Sequence, residues 1–241
     1  MTNNIKVTVI SPAYNEAANL EELVQRVHKT LTKFVGKRNW EFIVVNDNSS
    51  DNSKEILEKL KKKYQNLRPV HHYKNRGQTG CFDTGFKLAR GDIVITMDGD
   101  LEVHPEDIPL FLEKMKHPDV DVVNGIRTNR KHTFAINSLS RIYNILMFLV
   151  FQSPVYDAAS NFTAFRSKFI KGINLKYNDH RYIIPIVQRR GAREFDEVII
   201  HHDYRKSGIS KYNAMKKFFF GFFELCYAWY RINVVKEYDR K

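Results

Sequence analysis

The chain has 241 residues, of which 43% are hydrophobic, and its 39 Lys or Arg against 27 Asp or Glu give a formal net charge of +12. This length suits one α/β domain with at most a small appendage, and the apolar fraction excludes an intrinsically disordered chain. The excess of positive charge predicts an anionic partner, and nucleic acid, anionic lipid and a phosphorylated substrate all fit that description.

The first half of the chain alternates between two hydrophobic periodicities. Short β-branched runs predict strands, and apolar residues spaced three and four apart predict helices between them. The predicted strands cover residues 5–10, 40–45, 67–73, 92–97 and 120–125, and the predicted helices cover residues 16–34, 51–64, 80–89 and 105–116. This alternation predicts an α/β fold in which helices flank a mainly parallel sheet, with ligands at the carboxyl ends of the strands.

The second half contains two strongly apolar stretches. Residues 133–151 and 218–230 are predicted to be helical, and a further helix over residues 182–189 precedes a strand over residues 194–201. For residues 142–151 a place in the core is favoured slightly over contact with a membrane.

The later apolar stretch, residues 218–230, would form a helix about 20 Å long, which is shorter than the ~30 Å hydrocarbon core of a bilayer. It ends in Tyr227, Trp229 and Tyr230, aromatic residues that favour the membrane interface. We therefore predict an amphipathic helix lying in one leaflet, and a contact between subunits of a homo-oligomer is the alternative.

Features that the sequence lacks predict the cellular compartment of the protein. The two cysteines, Cys81 and Cys226, stand in no metal-ligand spacing, which is typical of a reducing compartment. No signal peptide and no run of about 20 apolar residues is visible. We expect a peripheral protein on the cytoplasmic side of the cell membrane.

Two aspartates follow the fourth predicted strand. Asp98 and Asp100 are separated by one residue, and carboxylates held this close repel unless a cation lies between them. Mg²⁺ or Mn²⁺ prefers such oxygen ligands, and Glu102 is a candidate third ligand. An ordinary Asp-Gly turn is the alternative, but the position at a strand end favours a metal site. Asp47, after the second strand, either belongs to a helix cap or binds a base or ribose.

These pieces, in this order, resemble the family-2 glycosyltransferases of the GT-A fold, and specifically the polyprenyl-phosphate branch that includes dolichyl-phosphate mannose synthase. The segments that carry the resemblance are residues 11–16, 45–51, 75–77, 89–92, 97–102, 105–109 and 202–212, together with Ser140, Asn144, Asp157 and Ser160.

The resemblance implies a metal-dependent, inverting transfer of a hexosyl unit from a nucleotide-sugar to dolichyl or undecaprenyl phosphate. The donor would be a UDP-hexose, a UDP-N-acetylhexosamine or GDP-mannose, and the pair His180-Arg181 favours UDP slightly. It also implies a GT-A catalytic domain over residues 1–215, followed by a membrane-interface helix and basic tail over residues 216–241.

The resemblance also assigns roles to individual residues. In the nucleotide pocket it places Pro12, Tyr14, Glu16, Asp47 and Asp98; on the metal it places Asp98, Asp100 and Glu102; on the acceptor phosphate it places Arg127, Ser140 and Arg205; and in catalysis it places Asp98, Asp100, Arg127, Arg205 and Lys211. Two positions depart from the pattern, because Glu102 stands where many relatives have Gln and Ile136 where relatives often have a basic residue.

A phosphate acceptor simplifies the chemistry. A phosphomonoester with a second pKa near ~6 is mostly a dianion at neutral pH, so it needs no strong general base. A single displacement then inverts the anomeric centre.

Three alternatives are weaker or remain open. A Rossmann dinucleotide enzyme would need Gly-x-Gly-x-x-Gly after the first strand, and Ser11-Pro12-Ala13-Tyr14 stands there instead. No motif supports a nucleic-acid partner. A glycosyltransferase that uses a soluble sugar or glycan acceptor remains the alternative function.

Overall fold

The computed structural model describes residues 6–127, 134–203 and 214–239. This part of the chain forms one seven-stranded sheet in the order β3-β2-β1-β4-β6-β5-β7. The strands are β1 (Val7–Ala13), β2 (Trp40–Asn46), β3 (Leu67–His71), β4 (Ile93–Thr96), β5 (Val122–Arg127), β6 (Thr163–Arg166) and β7 (Phe195–Ile200). All neighbouring strands are parallel except β6, which is antiparallel to both β4 and β5. The predicted mainly parallel α/β sheet is therefore confirmed.

Helices connect the strands and cover the sheet. They are α1 (Ala17–Val35), α2 (Ser53–Lys63), α3 (Gly77–Leu88), α4 (Ile108–Lys114), α5 (Phe134–Phe151), α6 (Ser167–Ile170), α7 (Ile183–Arg189) and α8 (Ala214–Trp229). The predicted helix over residues 105–116 is instead a 3₁₀ turn, Pro105–Asp107, that leads into α4. The sequence prediction missed β6 altogether.

The order of the strands places a crevice beside β1. The chain leaves β1 towards β2 and β3 on one side and then returns to β4 on the other, so β1 and β4 flank a point where the strand order reverses. Ala13 pairs with Asn46 of β2, and Ile10 pairs with Thr96 of β4. The segments that follow these three strands therefore meet at one edge of the sheet, where ligands bind in open α/β folds.

Two hydrophobic clusters form the core. One contains the buried stripe of α1, which consists of Leu20, Leu23, Val24, Val27 and Leu31. The other contains the apolar side of α3 and also residues from the end of the chain, namely Leu225, Ala228, Ile232 and Tyr238. Helix α8 continues as a π-helical turn, Tyr230–Val234. The C-terminal residues thus pack against the sheet domain, and the proposed boundary between residues 215 and 216 stays a prediction.

Two contacting helices, α5 and α8, also expose apolar side chains. We call this set, together with Tyr230 from the π-helical turn after α8, the apolar face; it consists of Ile142, Ile145, Phe148, Leu149, Phe223, Tyr227 and Tyr230. Residues three and four apart share one side of a helix, so each helix has an exposed apolar side as well as a buried one. The buried sides carry Met147 and Phe151 on α5, and Leu225 and Ala228 on α8. Within the described ranges, no helix combines the length and apolarity needed to cross a bilayer.

Candidate active site

A cavity of about 470 Å³ lies at the carboxyl ends of β1, β2 and β4. Its lining comes from the segments after these strands, from the start of α3 and from the residue two places before β6. The lining residues are Pro12, Ala13, Tyr14, Glu16, Asp47, Asn75, Gly77, Gln78, Cys81, Asp98, Gly99, Asp100 and Asn161. A cavity of this size at the carboxyl ends of parallel strands, with convergent polar groups, is the expected place for a ligand.

Asp98 is held by two side-chain amides. Gln78 Nε2 donates to Asp98 Oδ1 at 2.7 Å, and Asn161 Nδ2 donates to the two carboxylate oxygens at 3.2 and 3.3 Å. Burial, and then the negative charge of Asp100, raises the pKa of Asp98 to about 6, although Asn161 and Arg127 act in the opposite direction. The ionised form of the Asp98 carboxylate is therefore disfavoured here, and a nearby cation would stabilise it.

The turn after β4 brings its backbone against β1. A Cβ atom on Gly99 would lie 2.5 Å from the carbonyl oxygen of Pro12, so only glycine fits between the two aspartates. Leu101 adopts a φ of 61°, a left-handed conformation that is rare for leucine. Strained backbone of this kind is concentrated at functional sites, where the surrounding structure imposes it.

Glu102 faces the segment that follows β7. Its Oε2 lies 3.4 Å from His202 Nε2, and its carbonyl oxygen accepts a hydrogen bond from Asp203 N–H at 2.8 Å. Val103 and His202 also form an antiparallel bridge. The predicted metal-binding turn is thus attached to the segment that precedes residues 204–213. Arg205 and Lys211, predicted to contact phosphate, lie outside the described residues.

The residues present fit a hard divalent cation. Asp98 and Asp100 offer carboxylate oxygens on one turn, and the raised pKa of Asp98 marks a site where a cation would offset negative charge. Mg²⁺ and Mn²⁺ are commonly held by one or two carboxylates together with substrate phosphates. Asp98 and Asp100 both line the cavity.

A second cluster with ligand-type atoms within 4.8 Å of one another consists of Asp47, His72 and Cys81. The Asp47 carboxylate already accepts hydrogen bonds from His72 Nδ1 at 2.7 Å, Arg76 N–H at 2.8 Å and Gly77 N–H at 2.7 Å. Burial raises the pKa of the Cys81 thiol, which disfavours the thiolate that a metal would need. This cluster therefore fixes the loop before α3. His72 lies one residue beyond β3 and is bound to Asp47 through Nδ1.

The predicted nucleotide-binding residues all line the cavity. Pro12, the second-last residue of β1, lies close to Gly99, and Tyr14 is half exposed just after the strand. Glu16 accepts a hydrogen bond from Asn19 Nδ2 at 2.6 Å. Asp47 is nearly fully buried, so it contributes to this wall of the cavity mainly by fixing the backbone before α3.

The residues predicted to bind the acceptor phosphate lie further along the sheet. Arg127, at the end of β5, makes a bidentate ion pair with Asp157, with Nε–Oδ2 and Nη2–Oδ1 distances of 2.9 and 3.0 Å. Its charge still acts on Asp98, since it is one of the groups that oppose the raised pKa. Ser140 lies within α5, and its side chain is outside the described part of the structure.

Sequence reasoning missed two residues that contact Asp98. Gln78 directly follows the segment 75–77, and this adjacency was the available signal. Asn161, whose side chain binds Asp98, lies two residues before the unpredicted strand β6. No local pattern links it to residue 98, which is 63 positions away.

Comparison with known proteins gives one family and one fold. The model of glycosyl transferase family 2 matches residues 8–174. An undecaprenyl-phosphate 4-deoxy-4-formamido-L-arabinose transferase from Salmonella paratyphi B is 33% identical over 212 residues, which are 88% of this chain and 64% of that protein. The chain therefore spans less than two thirds of the length of this relative.

Two solved structures share the fold at low identity. A mannosyltransferase from Pyrobaculum calidifontis in complex with GDP-Man and Mn²⁺ aligns with a TM-score of 0.61 and 19% identity, covering 86% of this chain and 59% of that one. A glucosyl-3-phosphoglycerate synthase from Mycobacterium tuberculosis in complex with Mn²⁺, UDP and glucosyl-3-phosphoglycerate aligns with a TM-score of 0.70 and 14% identity, covering 93% of this chain and 80% of that one.

Proposed function

We propose that this chain, which belongs to glycosyl transferase family 2, transfers a hexosyl unit from a nucleotide-sugar to polyprenyl phosphate with inversion of the anomeric centre. The observation that carries this proposal is the carboxylate pair Asp98 and Asp100 on the wall of the cavity, with the pKa of Asp98 raised to about 6. Such a pair suits a diphosphate leaving group that is bound through a divalent cation.

The donor would occupy the cavity between the end of β1 and the start of α3. Pro12, Tyr14, Glu16 and Asp47 form the wall that would face the nucleoside. The similar solved structures contain GDP-Man or UDP together with Mn²⁺, which supports a nucleoside diphosphate donor. UDP-hexose, UDP-N-acetylhexosamine and GDP-mannose are the candidate donors.

Asp98, Asp100 and Glu102 would hold Mg²⁺ or Mn²⁺. When bound, the cation would supply Lewis-acid stabilisation of the negative charge that develops on the departing diphosphate. The chain's own contribution is to orient the carboxylates: Gln78 and Asn161 fix Asp98 through their amides, and the backbone N–H of Glu102 donates to Asp100 Oδ1 at 3.2 Å. Preorganised groups of this kind need no rearrangement during the reaction.

The acceptor would approach from the side of β5 and α5. We assign contact with its phosphate to Arg127, Ser140 and Arg205, with Lys211 completing the charge around the two anionic substrates. The name of the Salmonella relative, an undecaprenyl-phosphate transferase, supports this class of acceptor. Because the attacking group is a phosphate dianion, no side chain has to act as a strong base.

A lipid acceptor requires contact with a membrane. The apolar face supports a peripheral attachment to the membrane. Phe223 exposes an apolar ring, and Tyr227 and Tyr230 expose rings with a polar hydroxyl, which favour the membrane–water interface. Cytoplasmic nucleotide-sugars would place the protein on the cytoplasmic side of the cell membrane. A homo-oligomer contact through the same face is the competing use of these residues.

Solvent extraction tests the proposal. The protein, Mn²⁺ and vesicles containing undecaprenyl phosphate are incubated with radiolabelled UDP-glucose, UDP-N-acetylglucosamine or GDP-mannose. We expect label from one donor to pass into the organic phase, and omission of undecaprenyl phosphate or addition of EDTA to abolish this transfer. Label that stays in water on an added soluble glycan would instead establish the alternative acceptor. The absence of transfer from every donor would overturn the proposal.

A further inference from the structure

The first turn of α3 is attached to a residue from the far half of the chain. Thr79 Oγ1 lies 2.8 Å from His180 Nδ1, and the backbone N–H of His180 donates to the same oxygen at 3.4 Å. Thr79 is nearly fully buried, so these contacts are shielded from water. His180 lies beyond residue 174, the last residue matched by the family model, so the family match does not account for this contact.

The His180 ring is neutral in this contact. Burial, assisted by the charge of Arg181, lowers the pKa of His180 to about 4, so the ring carries no charge at physiological pH. Thr79 Oγ1 accepts the backbone N–H of His180, and a hydroxyl and a neutral imidazole nitrogen can form the second hydrogen bond in either direction. The two side chains are therefore linked in both tautomers of the ring.

His180 is itself rigidly supported. Its neighbour Asp179 is nearly fully buried and accepts hydrogen bonds from Arg231 Nη1 and Nη2 at 2.9 and 3.2 Å. Asp179 also accepts a hydrogen bond from the hydroxyl of Tyr238 and one from Lys176 N–H at 2.6 Å. The C-terminal segment therefore fixes the position from which His180 reaches α3.

The residue next to Thr79 is the one that binds the catalytic carboxylate. Gln78 donates to Asp98 at 2.7 Å, and on its other side Asp47 holds the backbone N–H groups of Arg76 and Gly77. Gln78 thus stands on a helical turn that is fixed at both ends. Movement of Thr79 would displace the amide from Asp98, since adjacent residues of a helix share one rigid backbone.

We propose that Thr79 and His180 are positioning residues that hold the amide of Gln78 on Asp98 and thereby orient this carboxylate for the divalent cation. The inference rests on the proposed function, because it assumes that Asp98 binds the cation. Neighbours that orient a metal ligand typically change metal affinity by 10- to 100-fold when they are removed.

Binding of Mn²⁺ alone, followed by the electron paramagnetic resonance signal of the free ion, tests this proposal without measuring turnover. Gln78→Met removes the amide at similar size, and we expect it to weaken Mn²⁺ binding about tenfold. Thr79→Val removes only the hydroxyl and leaves the amide of Gln78 in place, so we expect a loss of about fivefold, below the usual range for a direct partner of a metal ligand. Thr79→Ser keeps the hydroxyl and should bind Mn²⁺ like the unsubstituted protein.

The double variant Thr79→Val with Gln78→Met distinguishes positioning from a general structural role. If Thr79 acts through Gln78, the double variant binds Mn²⁺ as Gln78→Met does, because the path is already broken. Additive losses, or unchanged affinity in Thr79→Val, would overturn the proposal.

A second pair of variants, at His180, separates loss of the contact from a folding defect, and thermal unfolding of each variant is the control. His180→Asn offers a side-chain amide near the position of Nδ1 and should retain Mn²⁺ affinity, whereas His180→Leu should lose it to the same extent as Thr79→Val. Equal affinity in these two variants would overturn the proposal. If the unsubstituted protein bound no Mn²⁺ at all, the proposed function would fail, and this inference with it.

Discussion

The cavity and the apolar face differ in how completely their groups are satisfied. In the cavity, Asp47 accepts three hydrogen bonds and Asp98 accepts bonds from two amides. On the apolar face, Phe148 is 62% exposed and Phe223 is 70% exposed. Helix α1 behaves differently from both, because its buried stripe accounts for most of its large apolar residues. The acidic side chains Asp47 and Asp98 of the cavity have hydrogen-bond partners within the chain, whereas the apolar face is typical of a surface that a membrane or another molecule covers.

If the proposed function is correct, catalysis and membrane attachment are carried by separate parts of the molecule, and substitutions can test this. Substitutions in the cavity should change turnover and leave vesicle binding intact. Substitutions on the apolar face should do the reverse when turnover is measured on a detergent-solubilised acceptor.

The largest effect is expected for Asp98→Asn and Asp100→Asn. Each removes a negative oxygen ligand, so we expect turnover to fall about 1,000-fold, a loss on the scale of deleting a main electrostatic contributor. Radiolabel transfer into the organic phase measures this, and vesicle co-sedimentation should be unchanged. Asp92→Asn, at an exposed position before β4, is the matched control. Full turnover in either cavity variant would remove the basis of the comparison.

Two residues of α8 that are two positions apart test the contrast between the core and the apolar face within one helix. Leu225 is 1% exposed, and Leu225→Ala should lower the free energy of unfolding by about 3 kcal/mol because it leaves a cavity in the core. Phe223→Ala should change that free energy by less than about 0.5 kcal/mol. It should nevertheless weaken binding to anionic vesicles about tenfold, since it removes apolar area from the bilayer contact. Urea unfolding and vesicle co-sedimentation measure the two effects. Equal vesicle affinity of Phe223→Ala and the unsubstituted protein would count against the membrane role.

A smaller loss of stability is expected between the two regions, at the ion pair of Arg127 and Asp157. Asp157→Asn leaves the largely buried guanidinium of Arg127 without its charged partner, so we expect the free energy of unfolding to fall by about 2 kcal/mol. This loss is smaller than for a fully buried ion pair, because Arg127 keeps some contact with water. Glu113→Gln breaks the exposed pair with Lys116 and should change it by less than about 1 kcal/mol. Urea unfolding compares them. Similar losses of unfolding free energy in the two variants would show that the ion pair of Arg127 and Asp157 stabilises the fold no more than an exposed pair does.

The smallest change is a pH dependence of cation binding. The raised pKa of Asp98, about 6, means that the carboxylate carries a proton below that pH and must release it when the cation binds. We therefore expect Mn²⁺ affinity to fall by about tenfold per pH unit as the pH drops below 6, and to level off above it. Isothermal titration calorimetry in buffers of different ionisation enthalpy would detect the released proton. An affinity that is constant between pH 5 and 7 would contradict the assignment.

The parts of the fold that the sequence predicted are those with a strong period. Helix α1 repeats its buried residues every three or four positions, and β2 contains the apolar run Phe42 to Val45, so both were located within two residues. Strand β6 has only four residues and enters the sheet antiparallel between β4 and β5. Its place depends on hydrogen bonds to strands distant in the sequence, which leave no local signal.

The site divides in the same way. Asp98 and Asp100 were predicted because two carboxylates at a strand end have a direct electrostatic meaning. Gln78 and Asn161 were missed as partners of Asp98, since an amide that donates across 20 or 63 residues has no sequence period. The structure places Asp98 and Asp100 on the cavity wall, but their role as cation ligands stays a prediction, as do the roles assigned to all the other site residues.

The close fit at Gly99 has a mechanical consequence. With no side chain between the end of β1 and the turn after β4, the wall that would face the nucleoside and the wall that carries the aspartates have no hinge between them. In the proposed function, this backbone contact would fix the distance between the base and the diphosphate of the donor. Any opening or closing of the cavity has to come from elements other than these two strands.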